Sequence, residues 1–354
     1  MSRIIQMLAS YSYGDGIGNH ATALYNALRE RGVETAVYSN FVDEPLKHIG
    51  QHTSQYHCRP DDVILHHLGG GGDMNELVAG YDCRVILNYH NITPPRYFEG
   101  YNALAQKDAS RGYEDVRVLA EKVDCAISVS EYNTSELRRM GYTCPLHTIP
   151  IIMGFDDYKK PADPKILNKY SKSRGITNIV FVGRIAPNKK HEDLILDFYY
   201  YTKYYNPNSR LILAGNYRGL ENYCVKLKKY AKKLGLRNVI FTGHVQFSEL
   251  LAYYQVADVF LCESEHEGFC IPLVEAMYFQ TPIVAFDSSA VGQTLGTGGI
   301  LLQKKDPLLA AAVVDQLVRD ADLRKRVQDR QREQIQKFAP EAAVDAYLKV
   351  LLGE

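Results

Sequence analysis

Short runs of apolar, β-branched residues alternate along the whole chain with longer stretches whose apolar residues recur every three or four positions. This alternation is typical of parallel α/β proteins, in which a helix follows each strand and covers the sheet. The pattern predicts first-half strands at residues 4–8, 35–39, 63–66, 84–89, 125–129 and 148–152, with a first helix over 21–31. It predicts second-half strands at residues 178–182, 210–214, 239–241, 259–261 and 282–286, with a last amphipathic helix over 340–352. The predicted fold class is therefore α/β with parallel sheets.

One polar stretch divides this pattern into two halves. Residues 156–175 are rich in lysine and contain two prolines, a composition typical of an interdomain connection. A chain of 354 residues also exceeds what one hydrophobic core usually organises. We predict a first Rossmann-like domain over residues 1–155, a linker over 156–175, a second Rossmann-like domain over 176–337, and a C-terminal helix over 338–354 that folds back on the first domain.

Composition narrows the class of partner. The formal net charge is zero, so the chain as a whole does not favour nucleic acid as a partner. The seven cysteines include no C-x-x-C pair, which favours reduced thiols in a cytoplasmic protein over a disulfide framework or a zinc site. No apolar run approaches the roughly 18 residues of a membrane span, and the apolar start is short for a signal peptide. The lysine-rich helix around 226–233 indicates a solvated face, with a peripheral membrane or polyanion contact as the alternative.

The stretch 263–277, E-S-E-H-E-G-F-C-I-P-L-V-E-A-M, carries the most chemistry. Gly268 permits a sharp turn and Pro272 suits the first position of a helix, so Glu267 is expected on a loop and Glu275 in the first helical turn. Free N–H groups at such a helix start suit an anion such as phosphate. These are the amides of Phe269, Cys270 and Ile271. An acidic loop that caps a buried helix explains the same residues without a ligand.

Other candidates follow predicted strands of the second half. Arg184 and Lys189 come after strand 178–182, where two cations could neutralise a diphosphate. His244 and Val245 follow strand 239–241, where Val245 could pack on a base. A solvated basic loop is the alternative for the two cations.

In the first half, a loop with Gly14, Gly16 and Gly18 follows the first strand, and His90 and Asn91 follow strand 84–89. Open α/β sheets bind ligands at the carboxyl ends of their strands, which makes this histidine a candidate. The glycine spacing is not the dinucleotide fingerprint, so a tight strand-to-helix turn accounts for it equally. A lone histidine is also often structural.

The pairing of F-V-G-R-I-A-P-N-K with E-G-F-C-I-P-L-V-E-A-M resembles the retaining glycosyltransferases of family four. The resemblance covers essentially the whole chain. It implies the GT-B fold, in which two Rossmann-like domains face each other across a cleft and the second binds most of the sugar nucleotide. The segments Y-H-N-I-T-P and S-V-S-E-Y-N are similar to those of bacterial members that build surface polysaccharides.

The resemblance also implies roles for these residues. In the second domain, Arg184 and Lys189 would hold the donor diphosphate, Glu267 the hydroxyls of the transferred sugar, and Glu275 the ribose. The amides of 269–271 would contact the phosphates or the sugar. Cys270 stands where the motif commonly has glycine, and Lys190 stands where glycine often follows the lysine, which leaves Lys189 and Lys190 as alternatives.

In the first domain, the resemblance implies that His90 lies near the reacting carbon and donates a hydrogen bond to the sugar. Asn91, Gly16 and Gly18 would line the cleft beside the donor. Loops of this domain would recognise the acceptor.

The function implied is retaining transfer of a hexose from a nucleotide-diphosphate sugar to a hydroxyl of a glycan or lipid-linked acceptor. H-N-I-T-P favours GDP-mannose weakly. No D-x-D motif follows a strand at the expected site, so we predict no metal and no cofactor, and a front-face displacement. A non-catalytic sugar-nucleotide-binding subunit and a sugar-nucleotide epimerase of the same fold are alternatives. A dinucleotide-dependent oxidoreductase is disfavoured, because Ser39 and Asn40 stand where a ribose-binding acid is expected.

Overall fold

The computed structural model describes residues 2–171 and 175–353, which form two compact units. The first unit contains the chain up to Arg96, then Leu104–Gly154, then the chain from Phe338 onward. The second unit contains Tyr97–Ala103 and Phe155–Lys337. The structure thus differs from the predicted division in two ways. The short segment Tyr97–Ala103 packs with the second unit, and the predicted linker belongs to that unit as far as it is described, since residues 172–174 lie outside the described residues.

The first unit is built on a seven-stranded parallel sheet with the strand order β3-β2-β1-β4-β5-β6-β7. Its strands are rich in apolar residues and mostly buried, as expected for strands covered by helices on both faces. Their bounds are β1 Ile4–Leu8, β2 Thr35–Ser39, β3 Gly50–His52, β4 Val63–Leu68, β5 Arg84–Tyr89, β6 Cys125–Ser128 and β7 Leu146–Thr148.

The second unit is built on a six-stranded parallel sheet with the order β10-β9-β8-β11-β12-β13. Its strands are β8 Thr177–Val182, β9 Ser209–Ala214, β10 Val239–Gly243, β11 Val259–Cys262, β12 Ile283–Phe286 and β13 Ile300–Leu302. The prediction of an α/β fold with two parallel, Rossmann-like sheets is confirmed.

Helices connect the strands in both units. They are α1 Gly16–Glu30, α2 Asp73–Ala79, α3 Ala103–Leu119, α4 Glu131–Arg139, α5 Pro164–Lys169, α6 His191–Tyr204, α7 Glu221–Lys233, α8 Phe247–Val256, α9 Ile271–Tyr278, α10 Val291–Leu295, α11 Pro307–Arg319, α12 Ala321–Gln334 and α13 Pro340–Leu352. Among the described residues, no helix has both the length and the apolar character needed to cross a membrane.

The last helix, α13, is part of the first unit. Its Tyr347 and Leu351 are fully buried in the core that Ile4 and Leu65 form. The Arg84 guanidinium donates hydrogen bonds of 2.9 Å to the carbonyl groups of residues 350 and 351, which satisfies the open end of α13.

The strand order identifies one edge of each sheet as the place for a ligand. Each order reverses once, between β1 and β4 in the first unit and between β8 and β11 in the second. Open parallel sheets bind ligands outside the carboxyl ends of the strands at such a reversal. The loops after β1 and β4, and those after β8 and β11, therefore hold the residues of interest.

Several predicted elements differ from the structure in their bounds. Helix α1 begins at Gly16 rather than near residue 21, because the Asp15 carboxylate caps it. The strand predicted at 148–152 lies at Leu146–Thr148 instead. The predicted linker contains a 3-10 turn at Asp157–Lys159 and helix α5, and α5 packs on α8. The three-residue strands β3 and β13 were not predicted.

Candidate active site

A buried ion pair joins the loops that follow β8 and β11. Lys189 ends the 3-10 turn Pro187–Lys189 after β8, and Glu267 lies on the loop after β11. The Lys189 Nζ atom is 2.5 Å from both carboxylate oxygens of Glu267, whose side chain is largely excluded from solvent. Burial acts to lower the pKa of Lys189, but the Glu267 carboxylate outweighs it and holds that pKa above its ordinary value. The pair is therefore an ammonium in contact with a carboxylate.

Side-chain and backbone hydrogen bonds hold these two loops in register. The Asn188 side chain donates to the backbone carbonyl of His266 at 3.0 Å. The backbone carbonyl of Asn188 accepts from the Glu265 N–H at 2.8 Å. The N–H of Glu267 donates to the Ser289 hydroxyl at 2.8 Å. Both charged groups consequently sit on fixed backbone rather than on free loops.

Arg184 is a cation at the ligand-binding edge of the second sheet, and no carboxylate of the described residues neutralises it. It is exposed at the end of β8 and donates one hydrogen bond, of 3.2 Å, to the carbonyl of Arg218. No carboxylate of residues 2–171 or 175–353 pairs with it. A guanidinium presents five N–H groups in a planar fork, so Arg184 retains donors for a bidentate anion such as a diphosphate.

Lys190 faces a different carboxylate from Lys189. It adopts a left-handed conformation with φ of 51°, and its Nζ atom is 3.4 Å from Glu265. Lys305 also approaches Glu265, at 3.2 Å. Lys189 therefore shares the Glu267 carboxylate, whereas Lys190 belongs to a neighbouring ion-pair network.

Glu275 lies on α9 and is held by two tyrosines. The hydroxyl of Tyr254 donates to it at 2.6 Å and that of Tyr158 at 3.1 Å. Burial raises the pKa of Glu275, and the two hydrogen bonds offset part of that shift. The carboxylate that the resemblance assigns to a ribose thus already accepts two hydroxyl hydrogen bonds.

The turn between the two acids ends in a left-handed residue. Cys270 has φ of 70° and begins α9 without a side-chain cap, so the first-turn amides of the helix lack that internal partner. The Phe269 carbonyl accepts from the Thr294 hydroxyl at 2.5 Å, and Ile271 opens the helix. The Cys270 thiol contacts that of Cys262, and all seven cysteines of the chain are free.

His244 and Val245 follow β10 as predicted. His244 is exposed and Val245 is half-buried. Gly243 precedes them with φ of 75°, a conformation that glycine adopts readily. Contact with a nucleotide base stays a prediction for both residues.

In the first unit, His90 belongs to a cluster with His20 and His67. The Gln6 side chain donates to the Ala21 carbonyl at 3.2 Å, which turns its own oxygen toward His67 Nε2 at 2.9 Å. His67 must then carry its proton on Nε2 and accept at Nδ1. His90 Nε2 lies 3.0 Å from that Nδ1, so it donates there.

This chain of donors fixes the form of His90. Burial lowers the pKa of His90 and His67 well below the ordinary value and that of His20 to about 3, so the three rings are neutral at pH 7. With its proton on Nε2, His90 keeps an unprotonated Nδ1, which is buried and has no hydrogen-bond partner. His90 is thereby arranged to accept a hydrogen bond at Nδ1. This differs from the donating role that the resemblance implies.

The same cluster is the candidate metal ligand set among the described residues. One nitrogen from each of His20, His67 and His90 lies within 4.8 Å of the others. Neutral imidazoles suit zinc, but these nitrogens already have partners. His20 Nδ1 accepts from the Ile152 N–H at 3.0 Å, and the His67 nitrogens bond to Gln6 and His90. The ring nitrogens fit a hydrogen-bonded network better than a metal centre.

The glycines after β1 serve the start of α1. Gly16 is its first residue, and the Asp15 carboxylate accepts from the N–H of Gly18 at 3.3 Å. A Cβ atom on Gly18 would lie 2.4 Å from the Ser12 carbonyl oxygen. Close packing therefore explains Gly18, and its role toward a donor stays a prediction, as does that of Gly16.

Asn91 is engaged within the first unit. Its amide nitrogen donates to Glu136 at 2.7 Å and to Asn133 at 3.0 Å. It also adopts φ of 79°, a conformation in which asparagine is better tolerated than most residues. These contacts give Asn91 a structural task, and its contact with substrate stays a prediction.

Sequence reasoning missed several residues of these networks, among them Tyr158, Tyr254 and His67. Tyr158 lies in the segment taken for a linker, and Tyr254 lies on the amphipathic helix α8, where a buried tyrosine is ordinary. His67 had a usable signal, because H-H inside the apolar run V-I-L-H-H-L places polar rings within a buried strand. Buried polar groups need partners, which should have directed attention to that strand.

Comparison with known proteins relates the second half of the chain to a family. Residues 162–334 match the model of the family described as glycosyl transferases group 1. The O-antigen chain mannosyltransferase B of Escherichia coli is 26% identical over 268 residues, which cover 72% of this chain and 67% of that protein. A mannosylfructose-phosphate synthase of Agrobacterium fabrum is 33% identical over 111 residues, covering 30% of this chain and 24% of that protein. Most of these matches span well under two thirds of the relative.

Solved structures give the fold. Anabaena HepE, in complex with UDP and glucose, superposes with a TM-score of 0.80 at 16% identity and covers 100% of both chains. A sucrose-phosphate synthase from Thermosynechococcus elongatus superposes with a TM-score of 0.77 at 17% identity, also over 100% of both chains. At such identities the likeness concerns the fold, which is GT-B. Residues 162–334, just under half of the chain and nearly all of its second unit, match the glycosyl transferases of group 1, and together with the curated relatives this match makes the chain a glycosyltransferase.

Proposed function

We propose that the chain is a retaining, metal-independent glycosyltransferase. It moves a hexose from a nucleotide-diphosphate sugar to a hydroxyl group of a glycan or lipid-linked acceptor. The observation that carries the proposal is the buried pair of Lys189 and Glu267 at the strand reversal of the second unit. Arg184, which shortly precedes Lys189 in the sequence, has no carboxylate partner among the described residues.

The ion pair supports a donor-binding role because each partner has a natural counterpart in a sugar nucleotide. A diphosphate offers Lys189 anionic oxygens in place of Glu267. The hydroxyl groups of the transferred sugar offer Glu267 donors in place of Lys189. Exchange of one internal contact for two ligand contacts keeps both buried charges compensated, which a binding site of low dielectric requires.

Arg184 and Lys189 would also stabilise the leaving group. Negative charge develops on the diphosphate as the glycosidic bond breaks, and two fixed cations oppose it without moving. The departing diphosphate would accept the proton of the acceptor hydroxyl on the same face of the sugar. Retention of the anomeric configuration follows from that front-face geometry.

His90 and Glu275 take the remaining donor roles. The bare Nδ1 of His90 would accept a hydrogen bond from a hydroxyl of the transferred sugar. Glu275 would accept from the ribose, in exchange for the Tyr158 hydroxyl. Both roles rest on the family resemblance together with the contacts that each residue makes within its own unit.

The donor is proposed to be GDP-mannose. Three relatives carry mannose or mannosyl in their names: the E. coli mannosyltransferase, the mannosylfructose-phosphate synthase, and a GDP-mannose-dependent α-mannosyltransferase of Mycolicibacterium smegmatis that is 33% identical over 108 residues. The first builds an O-antigen chain, which supports a growing, lipid-linked glycan as acceptor. Such an acceptor would bring the enzyme to a membrane surface.

The test is a screen of sugar nucleotides for thermal stabilisation and for turnover, with EDTA present. A ligand at about 100 times its dissociation constant should stabilise the fold by roughly 2.7 kcal/mol. We expect GDP-mannose to stabilise most and to be turned over with retention of configuration. Arg184→Ala and Glu267→Gln should abolish turnover, whereas Lys190→Gln, a charge change beside the site, should largely preserve it.

Other outcomes separate the alternatives. Tight binding of a nucleotide without turnover of any donor would favour a non-catalytic binding subunit. Conversion of the free donor into an epimer would indicate an epimerase. Loss of turnover with EDTA that added metal restores would contradict the metal-independent mechanism.

A further inference from the structure

A basic excess in the second unit runs from the end of α6 through α7, whereas the earlier part of α6 carries Glu192, Asp193 and Asp197. Between Tyr199 and Asn238 the sequence contains nine lysine and arginine residues and one acidic residue, Glu221, although the whole chain has no net charge. Helices α6 and α7 of this segment pack side by side. A local excess of this size attracts an anionic surface even when the net charge is zero.

All five lysines of α7 are exposed, and Lys226 donates a hydrogen bond of 2.7 Å to the Tyr101 hydroxyl. Tyr223, Leu227 and Ala231 bury one face of the helix, and the five lysines occupy the rest of it. None of the five pairs with a carboxylate of the described residues. Those on the outer part of the helix are Lys228, Lys229, Lys232 and Lys233. From Lys228 to Lys233 they span about 8 Å along the helix, at 1.5 Å per residue, and form a basic strip.

The adjoining end of α6 is aromatic. Tyr204 is 56% exposed, and Tyr199 and Tyr200 are half-buried beside it. The Lys203 ammonium lies 5.0 Å from the ring centre of Tyr204 and 5.5 Å from that of Tyr199. Tyrosines with a half-buried ring and an outward hydroxyl are typical of the interface between a bilayer and water.

A groove with both apolar and basic lining residues adjoins the basic strip. A cavity of about 300 Å³ lies between α7 and the edge strand β10. It is lined by the apolar residues Ala231, Leu236, Val239 and Phe241 together with Lys228 and Lys232. The Lys228 ammonium lies 5.6 Å from the centre of the Phe241 ring. Apolar side chains beside two cations suit an amphiphile with a negatively charged head group.

We propose that the α6–α7 face, formed by the lysines 228, 229, 232 and 233 and the tyrosines 199, 200 and 204, binds the surface of a bilayer that contains anionic phospholipid. The basic strip supplies electrostatic attraction to the anionic head groups. The tyrosines and the groove supply the contact with the apolar boundary. A soluble polyanion would use the lysines but leave these apolar features without a function. This inference does not depend on which sugar the enzyme transfers.

The experiment is sedimentation of the full chain with vesicles of phosphatidylcholine alone, or of phosphatidylcholine mixed with an equal amount of phosphatidylglycerol. We expect binding to the mixed vesicles only. Replacing the four lysines of the strip by glutamine should weaken that binding by at least about tenfold. A matched control replaces four exposed basic residues elsewhere by glutamine and should bind as the original chain does. These are Lys325, Arg326, Arg330 and Lys337.

A second variant tests the aromatic part. Tyr199→Ser combined with Tyr204→Ser should weaken vesicle binding severalfold, and Tyr204→Phe alone should not. Equal binding to phosphatidylcholine alone, or unchanged binding by the lysine variant, would overturn the proposal. The proposal would also be overturned if heparin bound as tightly as the mixed vesicles and the tyrosine changes had no effect on binding. That outcome would indicate a general polyanion site. Turnover with a water-soluble acceptor should be equal in all variants, which separates this test from that of the catalytic proposal.

Discussion

At the scale of single residues, the contact between Lys189 and Glu267 determines what a substitution in the site costs. Removing one partner of a buried pair leaves a charge uncompensated, which typically costs about 3–5 kcal/mol. We predict that Glu267→Gln and Lys189→Met each lower the free energy of unfolding by about this amount, and that the double variant loses less than the sum. Urea unfolding of the four proteins measures the cycle.

The control for this cycle is Lys190→Met. Lys190 is 3.4 Å from a partly exposed Glu265, and pairs of that kind contribute up to about 1 kcal/mol. Strictly additive losses in the double variant would show that the two charges do not stabilise each other.

A second residue-scale prediction concerns His67. His67→Phe keeps a ring of similar size but leaves the Gln6 oxygen and the His90 Nε2–H unpaired, at a cost of about 1–3 kcal/mol for each buried group. Without the acceptor at His67, nothing selects the tautomer of His90. We expect turnover to fall and its pH profile between pH 5 and 8 to change. His66 lies on the same strand as His67 and bonds to Asn75 of α2 at 2.7 Å, so His66→Phe should destabilise the fold without altering that profile.

The residue types of the site were predictable, but their pairings were not. Arg184, Lys189 and Glu267 stand out because charged residues follow apolar strands. The tautomer of His90 depends on Gln6 and His67, which lie far away in sequence, and it follows only from the full chain of donors. The same holds for the tyrosines on Glu275.

At the scale of elements, the short segment Asp157–Lys159 matters because it delivers Tyr158 to Glu275 of α9. We predict that Tyr158→Phe tightens nucleotide binding, because the ribose no longer displaces that hydroxyl. Tyr254→Phe removes the shorter, more deeply buried bond, so it should lower stability by about 1 kcal/mol or more without tightening binding. Titration calorimetry with the nucleoside diphosphate, alongside urea unfolding, compares the two variants. Equal affinities in Tyr158→Phe and the original chain would argue against a ribose at Glu275.

The elements themselves show where sequence patterns suffice. Strands such as Ile4–Leu8 and Arg84–Tyr89 match their predicted bounds, because five consecutive buried residues in each leave a clear apolar run. Strands Gly50–His52 and Ile300–Leu302 are only three residues long, too short for any periodicity. Helix α1 begins early because a side-chain cap, rather than an apolar repeat, sets its first residue.

At the scale of the whole molecule, the net charge is zero, but buried titratable groups change the free energy of unfolding in opposite directions as the pH changes. Burial lowers the pKa of His20 and of His191 to about 3, so these residues cost stability as pH falls below the unfolded value of about 6.5. Burial raises the pKa of Asp197 and Glu263, aided by their mutual repulsion and opposed by Lys305. The net pH dependence is thus a difference between these two sets of groups.

Asp197 allows the two contributions to be separated. Its carboxyl keeps a proton in the folded state that the unfolded chain loses above about pH 4, so its contribution to stability is lost as pH rises toward its folded pKa. Asp197→Asn removes this pH-dependent loss of stability and keeps the shape of the side chain. The substitution breaks no bond at Oδ2, which has no hydrogen-bond partner. Relative to the original chain, the variant should gain about 1.4 kcal/mol for each unit of pH increase while Asp197 would still be protonated. Urea unfolding at a series of pH values from mildly acidic to mildly basic measures the difference, with the exposed Asp82→Asn as a control that should show none. A constant difference across that series would mean that Asp197 is ionised in the folded protein, and that Lys305 compensates it more fully than its surroundings imply.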